Sequence, residues 1–262
     1  EVIPQINNFE KKKGFLDSGY LSHDWHSFPA KFYPQLVRSI INICDFKKGV
    51  IFDPYAGCGT TLVEAKLIGI NAIGFDISKL AVLVTKVKTN LDIDTHLLTK
   101  SLAQISKKYY VNEHKNLEFK YSNFELYWYN KENLNQLKLL KTIIDSVEEE
   151  EIKNFFLVAL SSILRKIANT KNGQIEVRYQ LRKEKKNVFK LFEGKSISMV
   201  NDIEKYRKSN SDKKSRIEMY YADASKKKLD KDSVDFIITS PPYGNGLDYS
   251  RIHKLSIALI FG

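Results

Sequence analysis

The sequence predicts an α/β fold: an open, mostly parallel sheet with interleaved helices, interrupted by a helical insertion. Three observations predict it. The β-forming run Val50-Ile51-Phe52 enters Asp53-Pro54-Tyr55-Ala56-Gly57-Cys58-Gly59-Thr60-Thr61, and a helical pattern over residues 62–67 leaves it. Strand, small-residue turn and helix in that order describe a ligand-binding βα unit. A second short apolar strand, residues 72–75, ends at Asp76. A later apolar run, residues 234–239, delivers Ser240-Pro241-Pro242-Tyr243. Consecutive prolines cannot continue a ladder, so they fix a rigid turn at the strand's C-terminal end, where open α/β sheets bind ligands.

The remaining elements follow in chain order. Residues 1–22 read as a polar arm in which Lys11-Lys12-Lys13 is solvated. In His23-Asp24-Trp25-His26-Ser27-Phe28-Pro29-Ala30-Lys31-Phe32-Tyr33-Pro34 the prolines forbid a regular helix. His23 and His26 have no further ligand type nearby, so no metal is expected there. A helix with Leu36, Val37, Ile40 and Ile41 on one face precedes the first strand. In the turn, Gly57 and Gly59 allow close backbone approach or positive φ, and Thr60 and Thr61 can cap the helix that follows. No Gly-Lys-Ser/Thr follows, so the turn is not a phosphate-binding P-loop, and the full dinucleotide spacing is also absent.

Asp76 lies where nucleoside-binding folds place a ribose-hydroxyl acceptor, and it can equally cap the next helix, residues 79–90. Residues 95–216 occupy a connection that could have been short. Leu134, Leu137, Leu140, Ile144 and Val147, then Ile152, Phe155, Phe156, Ala159, Ile163, Leu164 and Ile167, recur at helical spacing and mark an inserted helical subdomain. The aromatic run at 124–129 suits either its core or base contact. After the turn signal Asn172-Gly173, residues 178–216 hold 13 Lys or Arg against 5 Asp or Glu, with Tyr179, Phe189, Phe192 and Tyr206 interleaved. This reads as a folded element facing nucleic acid, with Arg178, Arg182, Lys185 and Lys186 as phosphate contacts. Residues 217–221 form the third strand and lead to Asp223; residues 249–261 form a last helix after the flexible Gly244-Asn245-Gly246.

Composition narrows the class. The chain has 262 residues, 43% of them hydrophobic, enough for one large domain or a domain with an insertion. No apolar run reaches the roughly 18 residues of a membrane span, and Glu1-Val2-Ile3-Pro4 lacks the basic start of a secretory leader. Cys44 and Cys58 alone imply no disulfide framework, so a cytoplasmic setting is expected. Cys58 has no neighbouring base to make it a nucleophile. A net charge of +11 favours a polyanionic partner, nucleic acid first.

Asp53-Pro54-Tyr55-Ala56-Gly57-Cys58-Gly59-Thr60 and Ser240-Pro241-Pro242-Tyr243 together resemble the cofactor and catalytic motifs of the amino-group DNA methyltransferases, over roughly residues 23–90 and 217–262. The resemblance implies a Rossmann-like class I methyltransferase sheet. It divides the chain into a discontinuous core, 1–94 and 217–262, and a basic helical insertion, 95–216. It implies S-adenosylmethionine as cofactor, bound by Phe28, Pro29, Asp53, Pro54, Ala56, Gly57, Gly59, Thr60, Thr61, Asp76, Ile77, Asp223 and Ala224. Phe28 and Pro29 belong to a lid, Asp76 takes the ribose and Asp223 the adenine amino group. Ser240 and the Pro241 carbonyl, on the rigid Pro241-Pro242 turn, would hold the target amine while Tyr243 stacks on a base flipped from double-stranded DNA. Ser at the first motif position leans toward cytosine N4 over adenine N6, in a restriction–modification or related defence setting. An RNA amino-methyltransferase, or a cofactor-free DNA-binding subunit of the same fold, are the rival readings.

The family's sheets carry more strands than the four legible here, so the C-terminal strands are expected from later sequence or a second polypeptide. That expectation rests on the near-continuously apolar Val234, Phe236, Ile237 and Ile238, which read as a strand flanked by neighbours. It rests also on Ile252, Leu255, Ile257, Leu259 and Ile260, too apolar a stripe for a solvent-facing terminal helix.

Overall fold

The computed structural model describes residues 18–28, 31–115, 117–171, 176–181, 185–210, 214–242 and 248–262. The polar arm up to residue 17, Pro29, Ala30, the Asn172-Gly173 turn, Arg182, Tyr243 and the Gly244-Asn245-Gly246 link lie outside these residues. The chain forms two compact units, Glu1–Asp92 with Asn201–Tyr243, and Ile93–Val200 with Gly244–Gly262.

The first unit is built on a four-stranded, all-parallel sheet: β1 (Val50–Asp53), β2 (Asn71–Asp76), β3 (Ile217–Tyr221) and β4 (Phe236–Ile237), in the order β3-β2-β1-β4. Parallel strands need crossovers. Helix α1 (Pro34–Ile43) precedes β1, α2 (Thr60–Ile68) joins β1 to β2, and α3 (Lys79–Thr89) follows β2. Val37 and Ile41 of α1, Ile51 of β1, Leu62 and Ala65 of α2, Ala72 of β2, Val82 of α3 and Met219 of β3 meet in one apolar core. Helix α2 is buried on nearly every side, its polar residues Thr60, Thr61, Glu64 and Lys66 included. It starts at Gly59 and stops at Gly69, both with left-handed backbone, φ 78° and 82°. The expectation that Thr60 and Thr61 cap this helix is corrected: Gly59 is the N-cap, and both threonines are buried in the first turn.

The fourth strand is shorter than residues 234–239. Its pairing is confined to Ile51 with Phe236 and Phe52 with Ile237, flanked by ladder bonds from Asp235 N to Val50 O (3.1 Å) and Ile238 N to Phe52 O (3.1 Å). Among the described residues β4 is an edge, and Ile237 is 59% exposed, so it is not covered on both faces as its apolar sequence suggests.

The second unit is helical: α4 (Thr95–Asn112), α5 (Asn123–Trp128), α6 (Lys131–Asp145), α7 (Glu150–Ile167), the first part of α8 (Val188–Asn210) and α9 (Tyr249–Phe261). The stripes read from sequence on α6 and α7 are buried, Val147 excepted, since it follows the end of α6 and is half-buried. A capping box opens α5, with Ser122 Oγ accepting from Glu125 N at 3.2 Å and Glu125 accepting from Ser122 N at 2.7 Å. Residues 244–262, placed in the core by sequence, group here instead. Helix α9 packs on α7 and buries Ile252, Leu255, Leu259 and Ile260, while Ile257 of the same stripe stays 38% exposed. No helix among the described residues is long and apolar enough to cross a membrane.

Candidate active site

The strand order creates the site. The chain winds β1, β2, β3 outward in one direction, then returns to the other side of β1 as β4. The turns leaving β1 and β4 therefore lie side by side at the C-terminal edge, on either side of the switch in direction. A hydrogen bond joins them: the Thr239 hydroxyl donates to Asp53 Oδ1 at 2.8 Å. The Tyr55 N–H donates to the same oxygen at 3.1 Å. The buried Thr61 hydroxyl also favours the charged form of this carboxylate. Burial outweighs these donors and, with repulsion from Asp76, pushes Asp53 up to about 6.

The turn after β1 is shaped by contacts that only glycine permits. Gly57 and Gly59 have φ of 53° and 78°. A Cβ on Gly59 would lie 2.4 Å from Thr85 Cγ2 and 2.7 Å from Thr85 Oγ1. That same hydroxyl donates to Gly57 O at 3.0 Å, so α3 holds the turn against the sheet. The Phe28 ring approaches from the segment before α1, with Cε1 at 3.8 Å from where a Gly57 Cβ would stand.

At the end of β2, Asp76 Oδ2 accepts from Gly57 N at 2.9 Å and Oδ1 accepts from Ser78 N at 2.7 Å. The helix cap itself is Ser78, whose hydroxyl accepts from Ala81 N at 3.3 Å, so Asp76 is not the N-cap. A carboxylate has about four acceptor positions, which leaves Asp76 capacity for a ligand. Burial raises its pKa against those backbone donors. The next residue, Ile77, is 71% exposed, an apolar face beside the carboxylate. Past β3, Asp223 Oδ1 accepts from Ser225 N (2.9 Å) and Ser225 Oγ (2.7 Å), and these bonds lower its pKa. Ala224 and Ser240 are half-buried, and Pro241 and Pro242 are exposed.

β1 and β2 thus each end in an aspartate, and the turn just past the adjacent β3 supplies a third. Such a row accepts from hydroxyls, amines and ammonium groups, and repels phosphate. Of the basic residues singled out by sequence, Arg178 and Lys185 are exposed and Lys186 half-buried in the second unit, with Lys185 paired to Glu132 at 2.7 Å. Phe189, Phe192 and Tyr206 of the basic stretch are buried core residues, and only Tyr179 is exposed.

Sequence reasoning missed a buried network behind the turn. Glu64, in the middle of α2, accepts from Tyr20 Oη (2.5 Å), His23 Nε2 (2.8 Å) and Arg38 Nε (2.7 Å). Burial opposes the charge on Glu64, yet Arg38 and the hydrogen bonds hold its carboxyl below the usual range. Burial likewise lowers His23, which stays neutral and donates through Nε2. Lys31 and Lys88 donate to His23 O at 3.1 and 3.3 Å. The segment bearing Phe28 is thereby fastened to the helix that follows the turn. Glu64, the one acid in α2 and flanked by apolar Val63 and Ala65, was the sequence signal for it.

Comparison with known proteins agrees with this geometry. The N6/N4 methyltransferase family model, described as DNA methylase, matches residues 3–87. The Type II methyltransferase M.MvaI of Kocuria varians is 26% identical over 283 residues, covering 98% of this chain and 62% of its own length. The Type II methyltransferase M.BsoBI of Geobacillus stearothermophilus is 26% identical over 270 residues, covering 91% of this chain and 52% of its own length. A shorter match, 42% over 50 residues, covers 19% of this chain and 14% of the tRNA (guanine(10)-N2)-dimethyltransferase of Methanocaldococcus jannaschii (strain ATCC 43067 / DSM 2661 / JAL-1 / JCM 10045 / NBRC 100440). The chain spans between half and two thirds of the length of the two Type II relatives. No solved structure matches it. The resemblance to the amino-group methyltransferases, first carried by two short motifs, is thus shown, and the fold is a Rossmann-like methyltransferase sheet.

Proposed function

We propose that this chain carries the methyl-transfer centre of an S-adenosylmethionine-dependent DNA methyltransferase acting on an exocyclic base amine, cytosine N4 ahead of adenine N6. The observation that carries the reading is the Thr239–Asp53 hydrogen bond, which joins the Ser-Pro-Pro turn to the Asp-Pro-Tyr-Ala-Gly-Cys-Gly turn across β4 and β1. The donor set fits the cofactor. Asp76 accepts from ribose hydroxyls, Asp223 and Ala224 take the adenine amino group, and Ile77 offers the ring an apolar face. Asp53, Pro54, Ala56, Gly57, Gly59, Thr60 and Thr61 form the wall for the cationic end, with Phe28 and Pro29 above.

When bound, the cofactor supplies an already electrophilic methyl group, so the chain's task is orientation. The base amine is a poor nucleophile because its lone pair is delocalised into the ring. The Ser240 hydroxyl and Pro241 carbonyl accept its N–H bonds and concentrate electron density on nitrogen, while Tyr243 stacks on the ring. Pro242 keeps that turn from moving. Extracting the base from a duplex costs a few kcal/mol, met in part by phosphate contacts from Arg178, Arg182, Lys185 and Lys186. Ser at the first motif position favours cytosine N4. The Type II relatives favour a restriction–modification role on DNA.

The test is transfer of an isotopically labelled methyl group to duplex DNA, followed by mass analysis of the nucleosides. N4-methylcytosine is expected, and N6-methyladenine would overturn the choice of base. Ser240→Ala should remove most transfer at nearly unchanged cofactor affinity. Transfer retained in Ser240→Ala, or transfer lost together with cofactor affinity, would overturn the role given to the turn.

A further inference from the structure

The second unit exposes an aromatic pair that methyl transfer does not use. Helix α5 ends in Tyr127-Trp128-Tyr129, and the helical pitch sends Trp128 inward while Tyr127 stays 53% exposed. Tyr179, 43% exposed, brings its ring to 4.6 Å from Tyr127 at an interplanar angle of 38°. Both rings rest edge-on against buried Trp128, at 5.0 and 6.0 Å. The backbone beneath them is pinned. Asn169 N donates to Trp128 O at 2.7 Å, Gln180 N to Asn169 O at 3.0 Å and Lys171 N to Arg178 O at 2.9 Å, around a Thr170–Tyr179 bridge. The rings are therefore ordered before any partner arrives, and little entropy remains to be lost on binding.

The charges around the pair name the partner. Lys171 and Arg178, each next to the Thr170–Tyr179 bridge, are exposed, and Lys254 Nζ lies 4.2 Å over the Trp128 ring. Glu176 interacts with Lys254, and Glu125 at the start of α5 is paired with Lys138 at 2.8 Å. Flat aromatic surface flanked by cations is complementary to a nucleobase and its phosphates, and poorly matched to an apolar protein face.

We propose that Tyr127 and Tyr179 form a stacking platform for an unpaired base of a DNA strand, with Arg178 and Lys171 on the neighbouring phosphates. The proposal rests on the DNA-substrate reading above but not on methyl transfer. It predicts a mutational signature that phosphate contacts do not share, because stacking involves no counterion release.

The experiment uses the 262-residue chain, a fluorescent duplex with a one-base bulge and the same duplex without it, with anisotropy titrations across a salt series. Tyr127→Ala and Tyr179→Ala should each weaken binding to the bulged duplex about 5- to 100-fold at unchanged salt slope. Tyr127→Phe and Tyr179→Phe should bind like the parent. Arg178→Glu should weaken both duplexes and flatten the slope. Tyr127→Leu and Tyr179→Leu keep the apolar bulk, so they separate loss of stacking from loss of fold, and they should bind like the Ala variants. Parental affinity in the Ala or Leu variants overturns the platform, as does an equal loss on both duplexes. If the parent chain binds no DNA the platform also fails, whereas bulge-selective binding without methyl transfer upholds it and overturns the enzymatic reading alone.

Discussion

Asp53→Asn should stabilise the ligand-free protein at neutral pH, because the native fold makes this carboxylate hard to ionise. The substitution keeps an oxygen to accept from the Thr239 hydroxyl and the Tyr55 N–H, both of which address Oδ1. What it removes is a buried charge. Burial raises Asp53 from 3.8 to about 6. A shift of roughly two units corresponds to about 3 kcal/mol, taken as order of magnitude. The sign follows from proton counts. Between the two values the folded chain binds more protons at this site than the unfolded chain, so stability falls as pH rises from about 4 to about 6. Above that window the wild type carries the full cost and the Asn variant none; below it the two should coincide. Urea midpoints at pH 4 and pH 7.5 measure the difference. An Asn variant equally displaced at both pH values would refute the argument, since the effect would not come from ionisation. A cationic ligand seated against Asp53 should draw its pKa down and release protons on binding near pH 5.5, which appears as buffer-dependent enthalpy in calorimetry.

Gly59→Ala should cost about 1–2 kcal/mol for left-handed backbone and about 1–3 kcal/mol for the collision with Thr85, read as a lowered thermal midpoint. Adding Thr85→Ala should relieve the collision but forfeit the Thr85–Gly57 hydrogen bond, a cost that the Thr85→Ala single variant measures by itself. Asp76→Ala should weaken S-adenosylmethionine binding by about 1–3 kcal/mol, and also strand the Gly57 N–H; equal affinity by calorimetry would remove the ribose assignment. Glu64→Ala leaves Arg38 without its buried partner and should cost about 3–5 kcal/mol, measured by denaturation. Because Glu64 sits below its ordinary 4.5, its contribution should be complete above that pH and vanish as the solution is acidified.

Local pattern made much of this molecule legible. β3 falls on residues 217–221 and α9 on residues 249–261, because alternation, helical spacing and flanking breakers are written over short windows. The edge strand was overread. Val234, Phe236, Ile237 and Ile238 make residues 234–239 read as a long strand, but the register with β1 covers Phe236 and Ile237 alone, with one flanking backbone bond on each side, and Asp235 turns its side chain to Val50 N at 2.8 Å. The aromatic run at 124–129 could not be divided by composition; the α5 pitch and the Tyr179 contact decide that Trp128 is core and Tyr127 is surface. The Thr239–Asp53 bond joins residues 186 positions apart, and the Glu64 network gathers Tyr20 and His23 from the turn at 20–24 and Arg38 from α1. No periodicity within one segment encodes either arrangement.

The strand order also sets a timetable. Val50 pairs with Asn71 and can find it almost as soon as both leave the ribosome, whereas Ile51 pairs with Phe236 across most of the chain. At about 5–20 residues per second, the β4 side of β1 waits on the order of 10–40 s during synthesis. Throughout that interval the central strand shows an open, apolar hydrogen-bonding edge, the kind of template that recruits other chains. High contact order of this sort slows folding, and of the four strands the one that arrives last is the one leading to Thr239 and Ser240. Two turns that must cooperate are thus brought together in the final long-range closure, so a chain halted before β4 would hold the Asp53 turn with nothing beside it.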